Sequence, residues 1–314
     1  MPAQSHRGRF VWHELLTTDT KAAEGFFTRV VGWKAKPFDQ SYTLFLTGKQ
    51  NRAGLMTLPE EARSMGARPH WESYVAVPSV DDSAKQAASL GGKILKAPTD
   101  IPNVGRFAVL MDPQGASFAL FKGLQEMPIE DTPGVGDFSW HELATTDWKA
   151  AVAFYKNLFG WQETNAMDMG PQGTYQMFGL DGKTMGGIYN AGPQQPGPPA
   201  WLPYVRIPDA KKSAELIKKL GATVINGPME VPGGDMIAVG LDLQGIPFAV
   251  HSVTAKPAAA AKPASKPAKK KKAAKKAKKA KPAKRAASKK RPAAKKKGAK
   301  RPAKKSKRAG GRRR

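Results

Sequence analysis

Trp12-His13-Glu14-Leu15-Leu16-Thr17-Thr18-Asp19 is the stretch on which the fold turns, because Trp140-His141-Glu142-Leu143-Ala144-Thr145-Thr146-Asp147 repeats it 128 residues later. A repeat of this kind has to be recognised before any single element is read, since it sets the architecture of the whole chain. The match continues with Lys21-Ala22-Ala23 and Lys149-Ala150-Ala151, Phe26-Phe27 and Phe154-Tyr155, and Gly32-Trp33 and Gly160-Trp161. At an offset of 130, Trp71 pairs with Trp201, Tyr74 with Tyr204, Leu90-Gly91 with Leu220-Gly221, and Asp112 with Asp242. Gln114-Gly115 and Phe118-Ala119 likewise match Gln244-Gly245 and Phe248-Ala249. The body is therefore a tandem duplication, with domains over 8–123 and 136–253 and a linker over 124–135 that contains Pro128 and Pro133.

Each copy has the same rhythm. A strand over Phe10–Leu16 leads to Thr18-Asp19, a helix N-cap signal, and Ala22, Phe26, Phe27 and Val30 then recur at helical spacing until Gly32 stops the run. Three short strands are expected near Lys34–Phe38, Tyr42–Gly48 and Gly54–Leu58. The order then restarts with a strand over Trp71–Val77, a helix over Val80–Leu90, and strands near Ile94, Phe107–Met111 and Ser117–Phe121. Asp112-Pro113-Gln114-Gly115 reads as the turn before the last strand. Each domain is thus β-α-β-β-β twice over.

That doubled order, with helix-Gly-Trp after the first strand and an Asp-Pro-Gln-Gly turn before the last, resembles the vicinal oxygen chelate superfamily of glyoxalases, bleomycin-resistance proteins and extradiol dioxygenases. The resemblance implies an α+β fold: two tandem glyoxalase/bleomycin-resistance-like domains, each of paired β-α-β-β-β modules curling around a pocket. It also implies places for His and Glu ligands of one divalent metal. Here those places fall on Trp12 and Trp140, on Ala119 and Ala249, near Gly54–Met56 and Gly186–Ile188, and near Trp71–Ser73 and Trp201–Pro203. Glu72 alone among them has a ligand side chain, and catalysis at zinc-like centres needs about three protein ligands. No metal and no cofactor are therefore expected.

Strand alternation puts Trp12 and Glu14 on one face and His13 and Leu15 on the other. Glu14 and its repeat Glu142 are the candidate catalytic residues: an acid on a concave face acts as general base once desolvation raises its pKa, and otherwise caps amides or pairs with a lysine. His13 and His141 point under the helix and read as structural. Trp12, Trp71, Tyr74, Trp140, Trp201 and Tyr204 are read as pocket walls, for which core packing is the alternative. His251 is expected to lean into the second pocket, and His70 to be exposed. Arg106, replaced by Met236 in the second copy, suits an anion at the pocket mouth or a surface ion pair.

Charge divides the chain near residue 254. The 314 residues carry a formal net charge of +27, but 29 of the 52 Lys and Arg lie in 255–314, which has no Asp or Glu. That leaves 23 basic and 25 acidic residues before it, a nearly neutral body. The last segment is almost wholly Lys, Ala, Pro, Arg, Ser and Gly, with Pro282, Pro292 and Pro302 at ten-residue intervals. Such composition buries too little apolar surface to offset the entropy of ordering, so a disordered tail is expected. It resembles the C-terminal tail of linker histones and the lysine-rich tails of bacterial histone-like proteins.

Phosphate neutralisation would fall to Lys269, Lys270, Lys271, Lys272, Lys275, Lys276, Lys278, Lys279, Lys289, Lys290, Arg291, Lys295, Lys296, Lys297, Arg312, Arg313 and Arg314. With no aromatic to stack on bases, binding should be independent of sequence. The absence of cysteine excludes disulfides and thiolate chemistry. Met1–Phe10 holds no apolar run, so no secretory signal or membrane span is read there, and a cytoplasmic, nucleoid-associated protein is expected.

The leading reading is a metal-free small-molecule-binding protein tethered to DNA or another polyanion. The alternatives are a glyoxalase- or dioxygenase-related enzyme and a structural nucleoid protein; dimerisation is left open. The full chain should retard duplex DNA of any sequence in a gel at low salt and release it as salt rises, whereas residues 1–254 should not. Equal retardation by the shortened chain would place the binding elsewhere.

Overall fold

The computed structural model describes residues 7–125, 132–192 and 197–254. The centre of the expected linker, and the whole basic segment with its named lysines and arginines, lie outside these residues. The first half runs β1 (Phe10–Thr17), α1 (Thr20–Val30), β2 (Lys34–Pro37), β3 (Tyr42–Thr47), β4 (Gln50–Thr57), α2 (Glu60–Ser64), β5 (His70–Ala76), α3 (Val80–Ser89), β6 (Lys93–Ile101), β7 (Gly105–Met111) and β8 (Ser117–Gly123). The second runs β9 (Phe138–Thr145), α4 (Trp148–Phe159), β10 (Gln162–Asp168), β11 (Thr174–Leu180), β12 (Lys183–Asn190), β13 (Ala200–Arg206), α5 (Ala210–Lys219), β14 (Thr223–Glu230), β15 (Met236–Leu241) and β16 (Pro247–Ser252). The four long helices start where a short polar side chain takes up free amides: Asp19, Ser79, Asp147 and Asp209 each accept from backbone N–H groups of the first turn.

Each half forms one eight-stranded sheet, in the orders β2-β3-β4-β1-β5-β8-β7-β6 and β10-β11-β12-β9-β13-β16-β15-β14. The two β-α-β-β-β modules of a half meet along antiparallel β1 and β5, or β9 and β13. This is the expected pair of tandem α+β domains. The structure adds α2, which lacks a buried face, and starts β5 one residue early, at His70. Both sheets fall within one unit, Met1–Ala259. No helix among the described residues is long and apolar enough to cross a membrane.

The cores show how the halves depend on each other. One cluster joins α1 residues Phe26, Phe27 and Val30 of the first domain to Ala214 and Ile217 of α5 and to Phe248 and Val250 of the second. The other joins Ala84 and Ala87 of α3 and Phe118 and Leu120 of β8 to Phe154, Tyr155 and Phe159 of α4. The first module of each domain thus packs against the second module of the other. The helix-bearing face of each sheet is buried by its counterpart, and the opposite face stays clear.

At the centre of this contact His13 and His141, the repeated histidines, meet with their Nε2 atoms 2.8 Å apart. His141 Nδ1 lies 3.4 Å from the Met185 carbonyl, which can only accept, so that nitrogen carries the proton. His141 Nε2 is then the acceptor and His13 Nε2–H the donor. Phe10 covers His141 at 3.6 Å between centroids and Phe138 covers His13 at 3.7 Å, closing a four-ring stack. Burial depresses both imidazoles, His141 to about 3, so both are neutral at neutral pH. The structural reading of the two histidines is the one their geometry supports.

Hydrogen bonds cross the contact in reciprocal pairs. Gln114 Oε1 accepts from Thr145 Oγ1, and Gln244 Oε1 from Thr17 Oγ1. Trp33 Nε1 donates to the Gly136 carbonyl and Trp161 Nε1 to that of Gly8. One pair fails. The Tyr155 hydroxyl donates to Asp112 Oδ2 at 3.0 Å and accepts from Trp201 Nε1 at 3.0 Å. Phe27 stands in the place of Tyr155 and has no hydroxyl, and the corresponding atoms, Asp242 Oδ2 and Trp71 Nε1, are both buried without a partner. Desolvation accordingly raises the Asp242 pKa. Phe27→Tyr should restore the bridge and stabilise the fold by about 1–3 kcal/mol, and Tyr155→Phe should cost a similar amount. Urea denaturation measures both, and a neutral or destabilising Phe27→Tyr would refute the equivalence.

Candidate functional site

The face of each sheet not covered by helices is the one the family resemblance makes a cup, and the repeated stretch supplies its central acid. Glu14 projects from β1 into the first cup, 8% exposed, and accepts from the Tyr74 hydroxyl of β5 at 2.9 Å. A second donor comes from β3: the Tyr42 hydroxyl bonds to Glu14 and receives Trp12 Nε1–H at 3.0 Å. Gly54 of β4 lies beside Glu14 in register, and a Cβ there would overlap the Tyr42 hydroxyl. The glycine is what allows the tyrosine to lie over the floor and reach the acid. Burial raises the Glu14 pKa, the two tyrosines oppose that rise, and the neighbouring Glu72 adds to it.

The second cup repeats the device. Trp140 Nε1–H donates to the Tyr175 hydroxyl at 2.8 Å, and that hydroxyl donates to Glu142 Oε2 at 3.0 Å. Gly187 stands in register with Glu142, and a Cβ on it would run into the Tyr175 ring. Tyr189 and Tyr204 are further partners of the same carboxyl, whose pKa is again raised by burial. Each floor therefore presents an acid that tends to keep its proton, surrounded by aromatic hydroxyls.

The cups differ beyond the floor. Glu72 lies directly opposite Glu14 across β1 and β5, and Leu202 takes that place opposite Glu142. Glu72 Oε2 accepts from Ser117 Oγ at 2.7 Å and lies 3.1 Å from His70 Nε2. Burial pulls the His70 pKa down, but the hydrogen bond to Glu72 and its charge outweigh that and raise it. At the rim of the second cup His251 Nδ1 is 2.8 Å from Ser139 Oγ and its Nε2 is 3.1 Å from Asp235 Oδ2. Val11, Phe121 and Gly105 occupy the corresponding places in the first.

Of the residues singled out by sequence, Trp12, Glu14 and Tyr74 meet in one cup, and Trp140, Glu142 and Tyr204 in the other. His251 stands at the rim of the second. Trp71 and Trp201 are placed differently from the expectation of pocket walls: each is 6% exposed and packed in the core under the helices. They lie three residues from Tyr74 and Tyr204 on the same strands, and odd spacing puts them on the opposite face. Arg106 is held outside the cup by a fork to Asp81, at 2.7 and 2.9 Å, and by Asp100 at 2.8 Å. His70 is not free either, being tied to Glu72. Tyr42, Tyr175 and Tyr189 are residues of this face that the sequence does not single out, whereas Gly54 and Gly187 fall in the stretches implied by the resemblance.

A divalent metal does not fit this donor set. The places implied by the family resemblance carry Trp12, Gly54, Glu72 and Ala119, or Trp140, Gly187, Leu202 and Ala249, so Glu72 is the one ligand-type side chain among them, and the tyrosine hydroxyls lie where the glycines make room. Among the described residues no three His, Cys, Asp or Glu side chains gather as a ligand group.

Residues 12–121 match the family model for a glyoxalase-like domain, and residues 138–250 match that of the Glyoxalase/Bleomycin resistance protein/Dioxygenase superfamily. A putative glyoxylase, CFP32, of Mycobacterium tuberculosis is 28% identical over 261 residues, spanning 80% of this chain and 97% of that protein. The anthracycline biosynthesis protein DnrV of Streptomyces peucetius is 29% identical over 270 residues, spanning 81% and 96%. Among solved structures, the Mn(II)-bound glyoxalase from Novosphingobium aromaticivorans superposes with a TM-score of 0.54 at 16% identity, covering 79% of this chain and 82% of that one. The 2,2',3-trihydroxybiphenyl 1,2-dioxygenase from Sphingomonas wittichii gives 0.59 at 10% identity, covering 79% and 91%. At those identities the structural likeness speaks for the fold.

Proposed function

We infer the function of a chain that belongs to the glyoxalase/bleomycin resistance protein/dioxygenase superfamily, and propose that it is an enzyme acting on small oxygenated molecules by proton transfer from its buried carboxyls. The sequence reading put binding ahead of catalysis. The names of the curated relatives, a putative glyoxylase and an anthracycline biosynthesis protein, favour the enzymatic alternative. The observation that carries the proposal is the carboxyl on each cup floor, raised in pKa by burial and held by tyrosine hydroxyls.

Such a group has the two properties that acid–base chemistry requires. Burial raises its pKa above the ordinary carboxylate value, and the tyrosine hydroxyls fix its position on the floor. A carbonyl compound seated there would be protonated at oxygen by the floor carboxyl while solvent water takes an adjacent C–H proton, giving the enol. Return of a proton to either carbon completes an isomerisation or exchange with no net oxidation. The aromatic lining supports an apolar or flat substrate body.

The basic segment is the second part of the proposal. Its 29 Lys and Arg and lack of acidic residues support a sequence-independent tether to nucleic acid or another polyanion, which would keep the enzyme on the nucleoid.

Exchange of the α-protons of 2-hydroxyacetophenone in D2O, followed by NMR, tests the chemistry. The full chain should accelerate it, and the Glu14→Gln, Glu142→Gln double variant should remove most of that acceleration, about 10²-fold for a general acid–base group. An acceleration unchanged in the Glu14→Gln and Glu142→Gln double variant would contradict the proposal.

A further inference from the structure

The first cup contains an acid that the proton-transfer reading does not fully use. Glu72 is 2% exposed, and its Oε2 is taken by Ser117 and His70. Its other oxygen, Oε1, is buried with no hydrogen-bond partner. Because Glu72 faces Glu14 across the strand pair, its side chain points into the cup along with Glu14 and Tyr74. A buried carboxylate oxygen left without a donor is costly, and a ligand that displaces the side chains over it can supply that donor.

The surroundings specify which donor. Trp12, Tyr42, Tyr74 and Phe107 offer ring faces, with Tyr74 and Phe107 6.3 Å apart between centroids. Arg106 is engaged by Asp81 and Asp100 on the outer surface. Two carboxyl groups, Glu14 and Glu72, thus face the interior, and His70 is bonded to Glu72. A hydroxyl would satisfy the free oxygen alone. An ammonium group would satisfy it and also interact with the aromatic faces as a cation.

Resting on the reading of the cups as small-molecule sites, we propose that the first cup binds a small organic amine in its ammonium form, with Glu72 Oε1 accepting its N–H. The second cup takes an uncharged ligand. There Leu202 replaces Glu72, Ala200 replaces His70, Glu142 has three tyrosine partners and Asp235 at the rim is paired with His251, so the floor acid already has its donors. The duplication has in this way kept one floor and produced two specificities.

Isothermal titration of the full chain with 2-phenylethylamine and with 2-phenylethanol at neutral pH separates the effects, since the two probes differ only in the terminal donor and its charge. The amine should bind at least about tenfold more tightly, equivalent to about 1.4 kcal/mol. Glu72→Leu, which copies the residue of the other cup, and the isosteric Glu72→Gln should each close the gap, while Glu142→Gln should leave it. Equal affinity of the two probes for the unaltered protein would overturn the assignment, as would a gap that survives both Glu72 variants. If the alcohol binds without a gap, the cups stand as binding sites and only the amine is refuted. If neither probe binds, the reading of the cups as small-molecule sites fails with it.

Discussion

A curled sheet has two faces, and only one can be left to a ligand. In this protein the other face is buried by duplication: α1 and α5 fill one side of the contact between the domains, α3 and α4 the other, and His13 and His141 meet at the centre. Both imidazoles are neutral there and share one proton in one direction, because the Met185 carbonyl fixes the tautomer of His141. A charged ring at that point would be desolvated between two phenylalanines. The histidine contact therefore contributes fully above the ordinary imidazole pKa and is progressively lost as pH falls toward the depressed values. The arrangement supports from behind the two strands that carry Glu14 and Glu142.

The constraint acts unequally on the two faces. At the contact, a change in one copy must suit the other, and most of the reciprocal bonds persist: Gln114 and Gln244, Trp33 and Trp161, His13 and His141. Where the symmetry fails, at Phe27 against Tyr155, it leaves two buried polar atoms unsatisfied. In the cups a change affects no partner, and there the copies have diverged. The first holds Glu72 and His70; the second has Leu202 and Ala200 instead, and at its rim the Ser139, His251 and Asp235 chain. What remains common is the floor, an acid beside a glycine under a tyrosine.

The fold was legible because the repeat is exact at Trp-His-Glu-Leu and because caps, turns and apolar spacing recur in both copies. The floor acids were legible from strand alternation alone. Trp71 and Trp201 were misplaced for a physical reason that alternation also contains: three residues from Tyr74 or Tyr204 is the opposite face. The tyrosines over the floor were hidden by register. Tyr42 matches Tyr175 at an offset of 133, whereas the flanking matches lie at 128 and 130, because the second copy lengthens the connection between β10 and β11 through Gly170–Gln172. Tertiary pairing, which no local pattern encodes, brings Tyr42 over Gly54 to Glu14. The orphan oxygen of Glu72 is a fact of packing and has no sequence signature.

Carboxyl titration by 13C NMR, with Glu14 and Glu142 assigned through their Gln variants, addresses the chemistry at its source. Both side chains should titrate above the ordinary glutamate range, because burial opposes ionisation more strongly than the tyrosine hydroxyls favour it. Titration of both floor acids within or below that range would contradict the account, and the cups would hold fixed negative charge in place of a proton to transfer.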